Sequence, residues 1–225
     1  MANRPTLAPG EWYHCFSRGI DKRTTFETVA DYERFIEMLY LANSTEPVHR
    51  GNIHYKKHDE VFSVPRSKPL VSVGAYALMP NHFHLLLYEI IDGGISNFMQ
   101  KLGIAYAMYF NIKNNRTGNL FVKPFRSRHV DNDIYFQHCV DYIHLNPAEL
   151  FESGWKRGVV KDLRALESNV VRYPYSSSKL FHVKQDAPES AVLGDEIRLI
   201  YEHKPMQTVL ENARAYYEEH IKMVS

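Results

Sequence analysis

Cysteine is scarce in this chain, and long apolar runs are absent. The two cysteines among 225 residues, Cys15 and Cys139, lie in different sequence contexts, so no disulfide framework is expected. No apolar run approaches the ~18 residues that a membrane helix needs. The N-terminal letters MANRPTLAPG lack the apolar core of a secretory signal. The sequence therefore predicts a protein of the reducing cytoplasm with no membrane partner.

Net charge is also low, because 27 Lys and Arg residues oppose 26 Asp and Glu residues. This balance alone argues against a nucleic-acid partner, since domains that bind nucleic acids are often strongly basic. However, the basic residues are unevenly distributed. The 44% hydrophobic and 24% charged residues are typical of a globular domain and exclude a disordered chain, a collagen or a coiled coil.

Hydrophobic periodicity and turn signals divide the chain into strands and helices. The predicted strands are 11–18, 70–78, 82–89 and 125–130, and the predicted helices are one opened by the capping box Thr28/Asp31, one capped by Ser96, and 133–146, 194–203 and 205–222. Residues 43–69 are expected to form a long excursion containing a short hairpin, and residues 148–193 are expected to be irregular. The order predicts an α+β fold: an antiparallel sheet covered on one face by helices.

The most informative motif is a pair of histidines in a predicted strand. His82 and His84 are two residues apart, so their side chains share one face and their Cα atoms lie about 6.5–7 Å apart. Phe83, Leu85 and Leu87 point to the opposite face, toward a core. The pair is compatible either with a metal site or with histidines that bond to backbone or carboxylate groups. Imidazoles alone favour zinc, copper, iron or nickel, and tolerate manganese.

A second polar group lies on the predicted helix 133–146. Tyr142 and Asn146 are four residues apart and share a face, and His138 lies one turn earlier. Such a face is too polar for a core contact alone. The residues themselves leave two readings open: a functional site, or a tyrosine anchored through its hydroxyl beside an asparagine that caps the helix.

Collinear motifs over residues 11–178 resemble a known family. The chain is similar to the IS200-like transposases, in particular the REP-associated tyrosine transposases of the HUH nuclease superfamily. The matching stretches are Tyr13-His14-x-x-Ser17-Arg18-Gly19, Ala77-Leu78-Met79-Pro80-Asn81-His82-Phe83-His84-Leu85-Leu86-Leu87, Phe98-Met99-Gln100-x-Leu102, Tyr109-Phe110-Asn111, Gly118-x-Leu120-Phe121, Phe125-Arg126-Ser127, Tyr142-Ile143-x-Leu145-Asn146-Pro147 and Tyr173-Pro174-x-Ser176-Ser177.

The resemblance implies a ferredoxin-like α+β domain over 11–178, in which 43–69 is an inserted excursion. Residues 179–225 match no family stretch and are interpreted as a helical C-terminal extension. Tyr216 and Tyr217 in this extension are interpreted as structural residues of an amphipathic helix.

The resemblance also assigns the site. It implies that His82 and His84 bind a divalent metal, that Asn146 is the third ligand, and that Tyr142 is the nucleophile. The metal implied is Mg²⁺ or Mn²⁺, which suits a shell completed by an amide oxygen, waters and a phosphate oxygen.

The reaction that the resemblance implies is the cleavage and rejoining of single-stranded DNA, at hairpins flanked by short guide sequences. Tyr142 attacks a phosphodiester, holds a 5′-phosphotyrosine and releases a 3′-OH, and reversal with another 3′-OH transfers the strand. The acceptor of the tyrosine proton stays open, with His138 and His144 as candidates. The family includes monomers and dimers, and the sequence does not decide between them.

Basic residues flank these motifs and are interleaved with aromatic residues. Such a set is typical of a groove for single-stranded DNA. The residues predicted to contact DNA are Arg18, Lys22, Arg23, Lys123, Arg126 and Arg128. One departure follows Pro147, where the family often has Val-Arg-Ala and this chain has Ala148-Glu149-Leu150; the arginine is missing, and Glu149 is a poor neighbour for phosphate.

Two other functions are compatible with these motifs. A metal-dependent hydrolase would use the histidine pair and water, although the sequence lacks a carboxylate partner such as HxHxDH. A non-catalytic DNA-binding relative would keep the scaffold without cleavage, although His82, His84, Tyr142 and Asn146 are all present.

Overall fold

A computed structural model describes residues 6–183 and 186–224, with side chains described as far as residue 215. Its strands form one antiparallel sheet in the order β2-β3-β1-β4. Helical connections join β1 to β2 and β3 to β4, which is the ferredoxin-like arrangement. The predicted α+β class is therefore confirmed. The strands are β1 (Trp12–Arg18), β2 (Val71–Met79), β3 (His82–Glu89) and β4 (Arg126–Val130).

The α-helices frame this sheet and continue beyond it to the C-terminal end. Among the described residues, none of them has the length and apolarity that a membrane crossing requires. The α-helices are α1 (Val29–Leu41), α2 (His58–Val61), α3 (Gly94–Lys113), α4 (Asp133–Leu145), α5 (Ala148–Phe151), α6 (Leu163–Arg172), α7 (Ser178–His182), α8 (Glu196–Ile200) and α9 (Met206–Val224). Short 3₁₀ turns lie at Ile20–Lys22, Arg50–Ile53, Trp155–Arg157 and Pro188–Val192.

Helix starts follow local hydrogen bonds. The capping box of α1 is present, with the backbone N–H of Thr28 donating to the Asp31 carboxylate at 2.9 Å. Helix α3 begins at Gly94 rather than after Ser96, so the predicted cap is wrong. The physical reason is that the Glu89 carboxylate accepts the N–H of Ile95 at 2.9 Å, which stabilises a helix start before Ser96.

Both faces of the sheet are covered, whereas the sequence analysis expected helices on one face. Helices α1 and α3 cover the face that carries Phe83, Leu85 and Leu87. Helices α4 and α8 cover the other face and pack on Trp12 and Leu86. Because both faces are buried, the central strands β1 and β3 are rigid, and they hold the side chains that project from them in fixed positions.

A β-bulge adapts β2 to both cores. The pairing of β2 with β3 shifts between Val73 and Ala75. The odd-numbered side chains of β2 therefore point to one face of the sheet before Gly74 and to the other face after it. A Cβ atom at Gly74 would lie 2.7 Å from the Trp12 ring, so only glycine fits there. The bulge thus lets Val73 face the α1/α3 core while Ala75 faces α4.

A third apolar cluster joins the end of α4 to the C-terminal helices. Trp155, Leu166, Val170 and Leu210 are buried together in it. Residues beyond 178 contribute to all three clusters, and the domain boundary at this position stays a prediction. The side chains of Tyr216 and Tyr217 lie outside the described residues.

Two irregular regions differ from expectation. The prediction of a hairpin within 43–69 is wrong, because the segment forms helical turns at Arg50–Ile53 and His58–Val61. The Arg50 guanidinium stabilises this arrangement by bonding to Glu37 and to the carbonyls of Ile53 and Lys56.

The region 148–193 contains the ten-residue helix α6, which the sequence analysis missed. Asp162 caps this helix by accepting the N–H of Ala165 at 3.0 Å. The helix expected over 194–203 is confined to α8.

Candidate active site

The register of the sheet brings three strands into one polar face. His82 pairs with Arg18 across β3 and β1, and His84 pairs with Phe16. Phe16 in turn pairs with Arg126 of β4. Directly opposed residues of antiparallel strands project to the same side, so these five side chains lie together beneath α4. The predicted shared face of the two histidines is confirmed.

Each histidine of the pair is held through its Nδ1 atom. The Nδ1 atom of His82 lies 2.7 Å from the Oδ1 atom of Asn81. The Nδ1 atom of His84 lies 2.8 Å from the Nε2 atom of His14, in β1. When these Nδ1–H groups donate, the Nε2 lone pairs of His82 and His84 are free to bind a cation.

Burial keeps these imidazoles neutral near pH 7. Burial and the charges of Arg18 and Lys156 lower the pKa of His82 to about 4. Burial and the neighbouring His14 hold the pKa of His84 well below its ordinary value. Burial and the charge of Arg128 lower the pKa of His14 to about 4. Neutral imidazoles are the form that binds metals.

Tyr142 projects from α4 onto this face. Its ring centroid lies 5.6 Å from that of His84 and 5.8 Å from that of His14, with both pairs near perpendicular. The side chain is 39% exposed, and among the described residues its hydroxyl has no hydrogen-bond partner. The reading of Tyr142 as a structural tyrosine anchored through its hydroxyl is therefore not supported.

Asn146 lies one turn after Tyr142 and is 3% exposed. Its Nδ2 atom donates to the backbone carbonyl of Tyr142 at 2.9 Å, as a residue that ends a helix does. Its Oδ1 atom is buried without a partner among the described residues. A buried amide oxygen without a partner is costly, so it is suited to a ligand.

His82, His84, Tyr142 and Asn146 line one cavity of about 370 Å³. The sheet supplies one wall, and the segment from α4 to the turn at 155–157 supplies the other. The lining residues are Phe16, Ser17, Arg18, His82, His84, Val122, Pro124, Arg126, Tyr142, Asn146, Glu149 and Lys156.

The donor set for a metal is small. Among the described residues, no group of three or more His, Cys, Asp or Glu side chains is placed to hold a metal ion. A cation in the cavity would instead take two imidazoles and the Asn146 amide oxygen, and would leave the rest of its shell to waters and substrate oxygens. The unpartnered Oδ1 atom and the two Nε2 atoms fit this incomplete shell.

The predicted DNA-contacting residues divide into two groups. Arg18 and Arg126 line the cavity. The others are exposed and lie outside it: Lys22, Arg23, Lys123 and Arg128. Lys123 lines a neighbouring groove of about 1040 Å³ between α3 and residues 115–125.

The two candidate proton acceptors lie away from the cavity. His138 is exposed and does not line it. His144 is 1% exposed, and its Nε2 atom lies 2.9 Å from the Ser177 hydroxyl, on another side of α4. The structure therefore places neither imidazole in the cavity that Tyr142 lines.

The sequence analysis assigned no role in the site to three residues of this region. His14 carries the hydrogen bond to His84, and its alternation with Phe16 and Arg18 in a predicted strand was the available signal. Glu149 and Lys156 line the cavity and form an ion pair at 2.9 Å. No sequence signal indicated Lys156, since its position depends on how the chain turns after α5.

Comparison with known proteins adds one structural likeness. No protein-family model matches the chain, and no curated protein matches its sequence. A solved structure of a REP-associated tyrosine transposase bound to a REP hairpin is similar to it with a TM-score of 0.47 and 14% identity, over 91% of this chain and 95% of that chain. A likeness this weak carries no argument about function, which must rest on the residues themselves.

Proposed function

We propose that this protein cleaves and rejoins single-stranded DNA through a covalent phosphotyrosine on Tyr142, as an IS200-like tyrosine transposase does. The substrate we propose is a hairpin of the REP type, as the resemblance of the sequence motifs implies. The observation that carries the proposal is the position of Tyr142. Within the described part of the chain its hydroxyl has no hydrogen-bond partner, and it lies in a cavity lined by two histidines and two arginines.

The residues of the chain divide the chemistry among themselves. The Tyr142 hydroxyl is the nucleophile, and the new bond to phosphorus preserves the energy of the phosphodiester for rejoining. Arg18 and Arg126 face the same cavity and can bind the phosphates on either side of the cleaved bond. Their guanidinium groups also oppose the charge that develops during attack.

A divalent metal belongs to this proposal. His82, His84 and Asn146 would hold it, with His14 orienting His84. Mg²⁺ or Mn²⁺ would polarise the phosphate that Tyr142 attacks. The neutral imidazoles and the unpartnered Asn146 oxygen support this assignment.

The test is a covalent-adduct assay. Labelled single-stranded hairpin DNA from the flanks of the gene is incubated with the protein and Mg²⁺ or Mn²⁺, then resolved on a denaturing gel. We expect a shifted, protease-sensitive band that Tyr142→Phe abolishes. Tyr55→Phe, at a tyrosine 70% exposed outside the cavity, is the matched control and should keep the band.

Two outcomes would contradict the proposal, and each indicates another function. Cleavage that survives Tyr142→Phe without an adduct would indicate a hydrolase that uses water. Hairpin binding without cleavage, with either metal and on either strand, would indicate a non-catalytic DNA-binding protein.

A further inference from the structure

A lysine enters the cavity from the wall opposite the arginines. Arg18 and Arg126 project from β1 and β4, whereas Lys156 lies beyond α5 on the same side as Tyr142 and Asn146. Its charge acts on both His82 and His84. The cavity that Tyr142 lines thus receives cations from two separate parts of the chain.

The turn that carries Lys156 is anchored in the third apolar cluster. Trp155, the preceding residue, is 1% exposed and packs with Leu166 and Leu210. The backbone N–H of Trp155 donates to the carbonyl of Glu152 at 2.9 Å, and that of Gly158 donates to Trp155 at 2.9 Å. A buried tryptophan with bonded backbone fixes where the next side chain starts, so Lys156 reaches the cavity from a stable base.

Glu149 holds the lysine inside the cavity. Its Oε2 atom accepts a hydrogen bond from the Nζ atom of Lys156 at 2.9 Å, and both side chains line the cavity. An ammonium group has three donors, so one bond to Glu149 leaves two for a phosphate. The pair is partly exposed, with side-chain exposures of 35% and 41%, and such pairs add little stability.

We propose that Lys156 is a catalytic residue that contacts the non-bridging oxygens of the cleaved phosphate, and that Glu149 is a positioning residue that aims it. This role rests on the proposed function and adds to it a cation from the C-terminal part of the chain. It also assigns a role to Glu149, which stands where the family often has an arginine.

The assisted step is the attack itself. The bond from Tyr142 Oη to phosphorus forms while the bond from phosphorus to O3′ breaks. The tyrosine proton passes to water and the departing O3′ takes one from water, so no proton is gained or lost overall. The ammonium of Lys156 remains charged and lowers the energy of the pentacovalent state, in which the non-bridging oxygens carry more negative charge.

The experiment measures the rate of adduct formation in a single turnover, at saturating hairpin DNA and fixed Mn²⁺. Lys156→Met keeps the length of the side chain and removes its charge, and we expect the rate to fall by about 10²-fold. Lys156→Arg should retain part of the rate. Arg157→Met removes the same charge from the adjacent exposed residue outside the cavity, and it should react like the wild type.

A double-mutant cycle tests the role of Glu149. We expect Glu149→Gln alone to slow the adduct at saturating DNA with little change in DNA affinity, measured in the Tyr142→Phe background. In the Lys156→Met background the same change should have no further effect, since a positioning residue acts only through its target. Additive losses would show that Glu149 does not act through Lys156.

The outcomes separate this role from the proposed function. A Lys156→Met variant that reacts at the wild-type rate, or an Arg157→Met variant that loses as much, would overturn the role of Lys156 alone. A wild-type protein that forms no adduct would overturn the proposed function and this role with it.

Discussion

The two faces of β3 carry alternating residues of one strand and differ in what surrounds them. Phe83, Leu85 and Leu87 are buried against α1 and α3, in a cluster of apolar side chains. His82 and His84 face α4, where the packing is apolar only toward Trp12 and opens into a polar cavity at the other end. One short strand therefore supplies side chains both to the apolar core and to the proposed site.

This difference explains how polar groups can be tolerated so deep in the fold. The face that packs on α1 and α3 buries apolar side chains, and this burial stabilises the sheet without polar contacts from the opposite face. On that opposite face, the imidazoles of His14 and His84 bond to each other. The energetic cost of the site is thus confined to one end of one face.

The largest predicted effects come from substituting neighbouring residues of β3. We expect His84→Ala to reduce the adduct rate by at least about 10²-fold, because it removes a proposed metal ligand. We expect Leu85→Ala to lower the free energy of unfolding by about 2–5 kcal/mol, because it leaves a cavity in the α1/α3 core. Adduct kinetics and urea denaturation measure the two quantities.

The comparison would fail if these effects were exchanged. Loss of rate in folded Leu85→Ala protein, or a wild-type rate in His84→Ala, would mean that the faces do not divide stability and chemistry as described. Kinetics are compared at a temperature where denaturation shows both variants to be folded.

His14 provides a weaker perturbation of the same face. We expect His14→Leu to reduce Mn²⁺ affinity by about 10–100-fold, because His84 loses the group that orients it. His14→Gln offers an amide oxygen to Nδ1 of His84 and should recover part of the affinity. Calorimetric titration with Mn²⁺ alone measures this without any DNA. Equal affinities for wild type and His14→Leu would contradict the orienting role, and Cys15→Ala, on the other face of β1, is the control.

Some of this arrangement could be predicted from the sequence. The i and i+2 spacing placed His82 and His84 on one face, and the i and i+4 spacing placed Tyr142 and Asn146 on another, because both periods are local properties of strands and helices. The pairing of His14 with His84 spans 70 positions and depends on strand register. Lys156 reaches the cavity through the burial of Trp155, which no local pattern specifies.

Unfolding should depend on pH through buried histidines, including one that lies outside the cavity. Burial and the charges of His182 and His203 lower the pKa of His144 to about 3. The unfolded chain binds this proton near pH 6.5 and the folded chain does not, so stability is full above pH 6.5 and falls as the pH drops toward 3. The slope is up to about 1.4 kcal/mol per pH unit for each such group.

The matched variant for this prediction is His144→Gln, which keeps a polar partner for Ser177. Urea denaturation between pH 7 and pH 5 should give a shallower decline in stability for this variant than for the wild type. If stability declined equally with pH in the variant and the wild type, His144 would take up its proton in the folded state as it does in the unfolded state.

The smallest predicted effect concerns the basic residues. We expect Arg126→Met, in the cavity, to reduce the salt dependence of hairpin binding by about one phosphate contact. Arg164→Met, on an exposed position of α6, should leave it unchanged. Binding titrations at several salt concentrations in the Tyr142→Phe background measure the slope, and equal slopes for all proteins would place the DNA elsewhere.

The central claim is that Tyr142 itself becomes linked to DNA, and peptide mapping of the adduct tests it most directly. The covalent complex formed with Mn²⁺ is digested with nuclease and protease and analysed by mass spectrometry. The account predicts a nucleotide remnant on Tyr142, joined through its 5′ phosphate. A remnant on another residue, or cleaved DNA with no modified peptide, would contradict it.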